Sequence, residues 1–341
     1  LSCMSTCPAG VDYMRLVDQT RIRIEQSYRR PIADRWLRRV LGWLLIRPRA
    51  LRVAMSMGSL AKGIAGLLPP RLAVLARLSP GIVSGPSPNT SVGCHAAEGE
   101  KRFRVALLAG CVQSVTGTEI HDATIRLLRR HGCEVVIADG AGCCGALNHH
   151  LGNKDAALRT ARDTLLAWWR EIQAGGFDAI VINASGCGTV IKDYPHFFQD
   201  QPELHDAAVA VAERAVDVSE LLAQLELRPG HAQTLAVAYH DACSLRHGQQ
   251  ITEAPRQLLA DVGFDVRSPA EGHLCCGSAG TYNMLQPEIA TKLGKRKSAN
   301  LESLDPDVIA AGNLGCIVQI GQHTSLPVVH TVELLDWATG G

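Results

Sequence analysis

Two stretches of this chain carry the same cysteine frame. The first is Cys111, then Cys143-Cys144-Gly145, then Cys187; the second is Cys243, then Cys275-Cys276-Gly277, then Cys316. The single cysteine stands 32 positions before the pair in both, and the pair stands 43 and 40 positions before the last cysteine. Any fold of this chain must therefore bring distant thiols together, and do so twice. Thiolates gathered four at a time suit iron–sulfur clusters and tetrahedral zinc. On residue type alone, a metal-dependent redox site and a zinc-stapled scaffold without redox function both remain open.

The segments between the cysteines say how the thiols meet. Arg104–Ala109 reads as a short buried strand ending on Gly110-Cys111, followed by a helix over 117–131. The strand 134–138 ends at Gly-Ala-Gly-Cys-Cys-Gly, and a helix over 153–174 leads to the strand 178–183, which ends at Ser185-Gly-Cys187. The second half repeats this, with strands at 234–239, 264–267 and 308–311 before Cys243, Cys275 and Cys316. Short strands alternating with helices predict a small parallel sheet in each repeat. Open parallel sheets build their sites at the carboxyl ends of the strands, where every cysteine group falls. Adjacent cysteines on extended backbone point to opposite sides, so each pair must lie in a turn. Gly140, Gly142 and Gly145 are the candidates for one turn, Gly272 and Gly277 for the other. A vicinal disulfide is strained and leaves Cys111 and Cys187 unexplained. Backbone N–H groups of such turns are candidate donors to sulfur.

The domain organisation expected is α/β with a helical start. Residues 1–10 are a ferredoxin remnant, 11–80 a basic helical region, 81–100 a linker, 101–230 the first cysteine-rich domain and 231–341 the second. Cys3-x3-Cys7-Pro8 matches the closing half of the two-cluster ferredoxin run, so Cys3 and Cys7 are candidate ligands whose partners lie outside this sequence. The expectation is a chain shortened at its amino end. Residues 11–80 are punctuated by Pro31, Pro48 and Pro69-Pro70, and Trp36, Val40 and Trp43 fall on one helical face.

Charge is divided unevenly. Residues 1–80 hold 14 Lys/Arg against 4 Asp/Glu, and the remainder holds 20 against 29. Arg29, Arg30, Arg35, Arg38, Arg39, Arg47, Arg49 and Arg52 crowd together, a patch suited to phospholipid headgroups or an acidic partner, or to a plainly solvated helix face. Nucleic acid is disfavoured, because no binding motif or stacking aromatics accompany the charge. The apolar run 41–46 is too short to span a bilayer, and no signal peptide is visible. The expected location is the cytoplasm, where clustered thiols stay reduced and serve as ligands. No dinucleotide fingerprint or phosphate-binding loop appears, which argues against nucleotide or flavin binding by this chain.

The quoted frame resembles the cysteine-rich CCG domain of heterodisulfide reductase and related redox subunits. More narrowly, it is similar to the family of iron–sulfur subunits of bacterial glycolate oxidase (glycolate dehydrogenase). The matching residues are Gly-Cys111-Val-Gln, Ala141-Gly-Cys-Cys-Gly-Ala146, Ala184-Ser-Gly-Cys-Gly188, His240-Asp-Ala-Cys243, His273-Leu-Cys-Cys-Gly277 and Asn313-Leu-Gly-Cys316. The resemblance implies an electron-transfer subunit holding 4Fe-4S clusters, a partner subunit that carries FAD and oxidises glycolate, and an acceptor such as quinone. It places the basic region at the partner or, peripherally, on the inner face of the cytoplasmic membrane. It implies no catalytic residue on this chain. Related subunits serving glycerol 3-phosphate, lactate or heterodisulfide chemistry are the nearest alternatives. The broad pattern ends in C-x-x-C, whereas this chain has Ala184 and Asn313 at the first of those positions. Each repeat therefore offers four thiols, and a four-thiolate cluster, a modified cluster or one empty site all stay open. Asn313 can supply an oxygen or a hydrogen bond; Ala184 cannot.

Other residues invite assignment. His149-His150 follows the first cysteine pair, and His240, His247 and His273 surround the second group. Hydrogen bonding around a cluster and an ordinary structural role are both open to them. Cys133, outside the frame and before a strand, reads as a buried inert thiol, and Cys94 as an incidental one.

Overall fold

The computed structural model describes the chain except residues 69–72, 74, 77, 80, 82, 231–233 and 341. The Pro69-Pro70 break lies outside the described residues.

Runs of Val, Ile, Leu and Ala four or five residues long, apolar at every position, suit strands covered on both faces. They form two sheets. The first contains β1 (Gly93–His95), β2 (Phe103–Leu107), β3 (Cys133–Ile137), β4 (Ala179–Ile182) and β5 (Ala215–Asp217), in the order β1-β3-β2-β4-β5. The second contains β6 (Ala236–His240), β7 (Asp265–Arg267), β8 (Val308–Ala311) and β9 (Val328–His330), in the order β7-β6-β8-β9. Val105 stands opposite Val135 and Ala179; at the matching place Val237 stands opposite Val266 and Val308. Every pairing is parallel except β1 with β3.

In both sheets the chain moves outward from β2 or β6 to one neighbour, then crosses back to the other side. A crevice opens above such a switch point, at the carboxyl ends of the strands. The predicted strands and long helices appear in their predicted places. Three short strands do not follow from the sequence pattern. β1 lies inside the stretch read as a linker, and gives the first sheet an antiparallel edge. β5 and β9 are only three residues long and end on polar residues that cap the next helix. Asp217 accepts from Ser219 N at 2.9 Å, and Glu220 accepts from Asp217 N at 2.8 Å. His330 and Glu333 repeat that reciprocal box before the helix Thr331–Ala338. Their caps rather than their hydrophobicity end these strands.

The sheets share one core. Leu107, Leu127 and Val135 of the first repeat pack into the same buried cluster as Tyr239, Leu259 and Leu335 of the second. Buried Asp336, near the end of the chain, takes Arg126 at 2.5 Å and Arg130 at 3.1 Å from the helix Thr118–Arg130. The two repeats are therefore packed face against face by apolar burial and a shared carboxylate.

Three amino-terminal helices, Tyr13–Ser27, Ile32–Leu44 and Pro48–Ala61, lie across this body. Leu41, Leu45 and Leu51 pack with Val115 and Leu151 of the first repeat and Leu285 of the second. The inward face is the leucine stripe. Trp36 and Trp43, read from the sequence as apolar neighbours on one helix face, instead point outward, 68% and 52% exposed. Asp18, itself buried, receives His150 at 3.0 Å and His149 at 3.4 Å, which fastens the first long helix beside the first cysteine pair.

Candidate metal centres

The turn that holds each cysteine pair is set by its final glycine. Gly145 (φ +86°) and Gly277 (φ +93°) occupy the left-handed region, which costs an L-residue about 1–2 kcal/mol. A Cβ there would lie 2.8 Å from Ala157 O in one repeat and 2.5 Å from Ala290 O in the other. Both glycines thus let the cysteine turn sit against the first turn of the long helix that follows. Their N–H groups also point at sulfur: Gly145 N donates to Cys143 Sγ at 3.5 Å, and Gly277 N to Cys275 Sγ at 3.3 Å. Gly142 and Gly272, expected to help, have ordinary φ.

The remaining thiols are delivered by the other strand ends. Cys111 and Cys243 follow β2 and β6. Cys187 and Cys316 lie in the first turns of the helices Ser185–Lys192 and Leu314–Ile320, after β4 and β8. The result in each repeat is a string of neighbouring thiols, each of which perturbs the ionisation of the next. Cys111 meets Cys143, Cys143 meets Cys144, and Cys144 meets Cys187. In the second repeat Cys243 meets Cys275, Cys275 meets Cys276, and Cys276 meets Cys316.

The two strings ionise differently. Bonds from Cys111 and Cys144 hold the Cys143 thiol well below its ordinary range, while Cys111, donating to Cys143 and buried, is pushed well above it. In the second repeat no such sink forms. Cys275 accepts from Cys243, but its bond to Cys276 and its burial prevail, so its thiol is raised. Four thiols so close that they compete for protons are a donor set for a multiply charged cation. The chemistry and the shape fit an iron–sulfur cluster.

Both strings open on one cavity of about 680 Å³ with mainly apolar walls. It lies between the strand ends of the two sheets and under the amino-terminal helices, which contribute Met14, Val17 and Leu45. Cys3 also lines it. Ser2 Oγ donates to His273 O at 2.6 Å and Ser5 Oγ meets His247 Nδ1 at 2.7 Å, so the helix Ser2–Thr6 is pinned to the second repeat.

At the two positions where the frame lacks a cysteine, Asn313 Nδ2 donates to Cys316 Sγ at 3.5 Å, whereas the Ala184 methyl makes no such bond. Cys133 is fully buried in β3 with its thiol pushed up to about 11 by burial, as expected of an inert residue. Cys94 is exposed on β1, away from both strings. His149 and His150 serve Asp18 rather than the cysteines, His247 serves Ser5, and His273 is exposed.

Two features near the second string carried no spacing signal. Lys297 is fully buried on the helix Pro287–Glu302, donates to Glu271 O at 2.9 Å, and feels Asp241, Cys276 and Cys275; its ammonium is lowered by burial. His240, the last residue of β6, lies with a ring nitrogen and the sulfurs of Cys276 and Cys316 all within 4.8 Å of one another.

Comparison with known proteins agrees with this duplication. A family model described as "Cysteine-rich domain" matches residues 105–192 and 237–321. The chain is 35% identical, over 99% of its length and 80% of the relative's, to the glycolate oxidase iron-sulfur subunit of Escherichia coli (strain K12). It is 28% identical, over 99% of its length and 81% of the relative's, to the probable glycolate oxidase iron-sulfur subunit of Bacillus subtilis (strain 168). Lactate utilization protein A of Oceanobacillus iheyensis is 25% identical over 69% of the chain and 97% of the relative.

Proposed function

This chain belongs to the family of glycolate oxidase iron–sulfur subunits and carries the cysteine-rich domain twice, and from that membership we propose that it is the electron-transfer subunit of a glycolate-oxidising complex. The observation that supports it most is the pair of four-thiol strings facing one cavity. The glycolate oxidase subunits match 99% of the chain and the lactate protein 69%, which favours glycolate as the donor.

In this reading a partner subunit with FAD removes two electrons and two protons from the CH–OH of glycolate, leaving glyoxylate. Bound 4Fe-4S clusters supply one-electron couples that accept those electrons singly and release them towards quinone. The chain's own residues do the rest. Cys111, Cys143, Cys144 and Cys187 hold one centre; Cys243, Cys275, Cys276 and Cys316 hold the other. Cys3 and Cys7 are ligands of ferredoxin-type clusters, and a path from them past the second centre is supported by Cys3 at the cavity and by the bond from Ser2 to His273. The Gly145 and Gly277 N–H groups withdraw charge from the cysteine sulfurs, which raises the potential. The amino-terminal helices line the cavity with Met14, Val17 and Leu45, and such apolar walls strengthen every such interaction. Arg126 and Arg130, through Asp336, hold the repeats together. No residue of this chain is assigned to the 2-hydroxy acid.

The test is anaerobic purification with metal and sulfide analysis, then paramagnetic resonance of the reduced protein. Iron with acid-labile sulfide is expected, reducible by glycolate only when the flavoprotein is present. Zinc without iron would sink the reading.

The amino-terminal helices supply a docking face in the same proposal. Ile32, Trp36, Arg39 and Trp43 fall at i, i+4, i+7 and i+11 and are exposed. Arg30 and Arg38 are spent on Glu25 and Asp34, but Arg29, Arg35, Arg39 and Arg49 have no ion-pair partner among the described residues. Indole rings beside guanidinium groups suit the headgroup layer of an anionic membrane. Among the described residues no helix is long and apolar enough to cross it. The variant R29E/R35E/R39E is expected to lose binding to anionic lipid vesicles at low salt, where the parent binds and is released as salt rises. Equal vesicle binding by parent and variant at every ionic strength would remove the membrane from the proposal.

A further inference from the structure

The two repeats superpose residue for residue around β2 and β6, since Val105, Ala106 and Cys111 correspond to Val237, Ala238 and Cys243. On that register Leu108 of the first repeat corresponds to His240 of the second. Leu108 is buried among Ala106, Ala138 and Cys144, as an apolar residue should be. His240 is equally buried, 1% exposed, yet neither ring nitrogen has a hydrogen-bond partner among the described residues. A buried imidazole without partners costs several kcal/mol of lost hydration unless something bonds to it. The atoms nearest in chemistry are the sulfurs of Cys276 and Cys316.

The ring nitrogen and the two sulfurs lie within 4.8 Å of one another, so the imidazole is within reach of a centre that Cys276 and Cys316 hold. A neutral imidazole is the form that binds metals.

We propose that His240 is a nitrogen ligand of the second repeat's iron centre beside Cys276 and Cys316, a fifth donor that the first repeat's centre, held by thiolates alone, lacks. The inference rests on the iron–sulfur reading above and goes beyond it, because it makes the two centres chemically unequal. An imidazole ligand adds no negative charge to the centre, and the buried Lys297 ammonium near Cys275 and Cys276 draws its potential upward. The first repeat has Thr164 on the corresponding helix, a neutral hydroxyl that donates to Cys143 O at 3.0 Å. The second centre is therefore the more oxidising of the two.

The experiment labels the protein with ¹⁵N-histidine, purifies it without oxygen, measures iron, and records pulsed paramagnetic resonance of the reduced centres. The expected result is one centre with the strong coupling of a directly bonded nitrogen, changed by the isotope and lost in H240L, which copies the first repeat's leucine. H240C, which puts a thiolate in place of the imidazole, is expected to keep its iron, lose the coupling and shift that centre's midpoint potential downward. Iron present without nitrogen coupling in the parent overturns the ligand, whatever the variants do. Coupling that persists in H240L also overturns it. Absence of iron from the parent removes this inference together with the reading beneath it, so the two failures are told apart by the metal analysis.

Discussion

The double substitution C275S/C276S is expected to abolish iron binding in the second repeat and spare the first, and C143S/C144S to do the reverse. In each string the adjacent pair stands between the two single cysteines, so its loss removes two of the four ligands and the link between the others. Serine fills the space but is a poor ligand for iron. Losses of outer groups around metal sites already cost 10–100-fold, so glycolate-driven reduction of a quinone should fall by more than about 100-fold in either variant. C133S is the control, because Cys133 is buried in β3 away from both strings. Iron and sulfide content should drop in the paired variants and hold in C133S. Full iron content in C275S/C276S would show that the second string is not a metal site.

G277A should destabilise the protein by roughly 3–4 kcal/mol, with G145A close behind. The left-handed backbone contributes about 1–2 kcal/mol, and a methyl driven against a helix carbonyl adds about 1–3 kcal/mol of overpacking. Neither helix can yield easily: Ala157 and Ala290 are fully or almost fully buried. The new methyl would meet Ala290 O at 2.5 Å in one repeat and Ala157 O at 2.8 Å in the other. G142A, two residues away from Cys144, meets nothing within 4 Å and has ordinary φ, so it should stay within about 0.5 kcal/mol of the parent. Denaturant titration of the three variants separates these cases. Equal midpoints for G277A and G142A would mean that the glycine after the pair is not what shapes the turn.

Much of this was legible from residue order. The strands before Cys187 and Cys316 are uninterrupted runs of β-branched and small apolar residues, β2, β3 and β6 each hold an apolar run of three or more, and these form strands because both faces are covered. The turn glycine after each cysteine pair could be named from the need to aim consecutive side chains at one place. The short edge strands could not. β1, β5 and β9 have three residues each, and their pairing is imposed by neighbouring strands and by the caps at Asp217 and His330. The outward turn of Trp36 and Trp43 was also invisible, because the leucines on the opposite face of that helix offered an equally apolar stripe. Only contact with Val115, Leu151 and Leu285 chooses between the two faces.

By itself, the sequence determined the duplication, the grouping of thiols at strand ends, and the class of chemistry that eight such thiols serve. These depend on spacing along the chain and on local conformation. The tertiary structure decided that both strings open on one cavity, that the amino-terminal helices roof it, and that the repeats are unequal. That inequality turns on His240 against Leu108, two residues whose difference means nothing until both are found buried at the same place. Burial removes water from the imidazole, and only then does a histidine without a partner become a statement about metal.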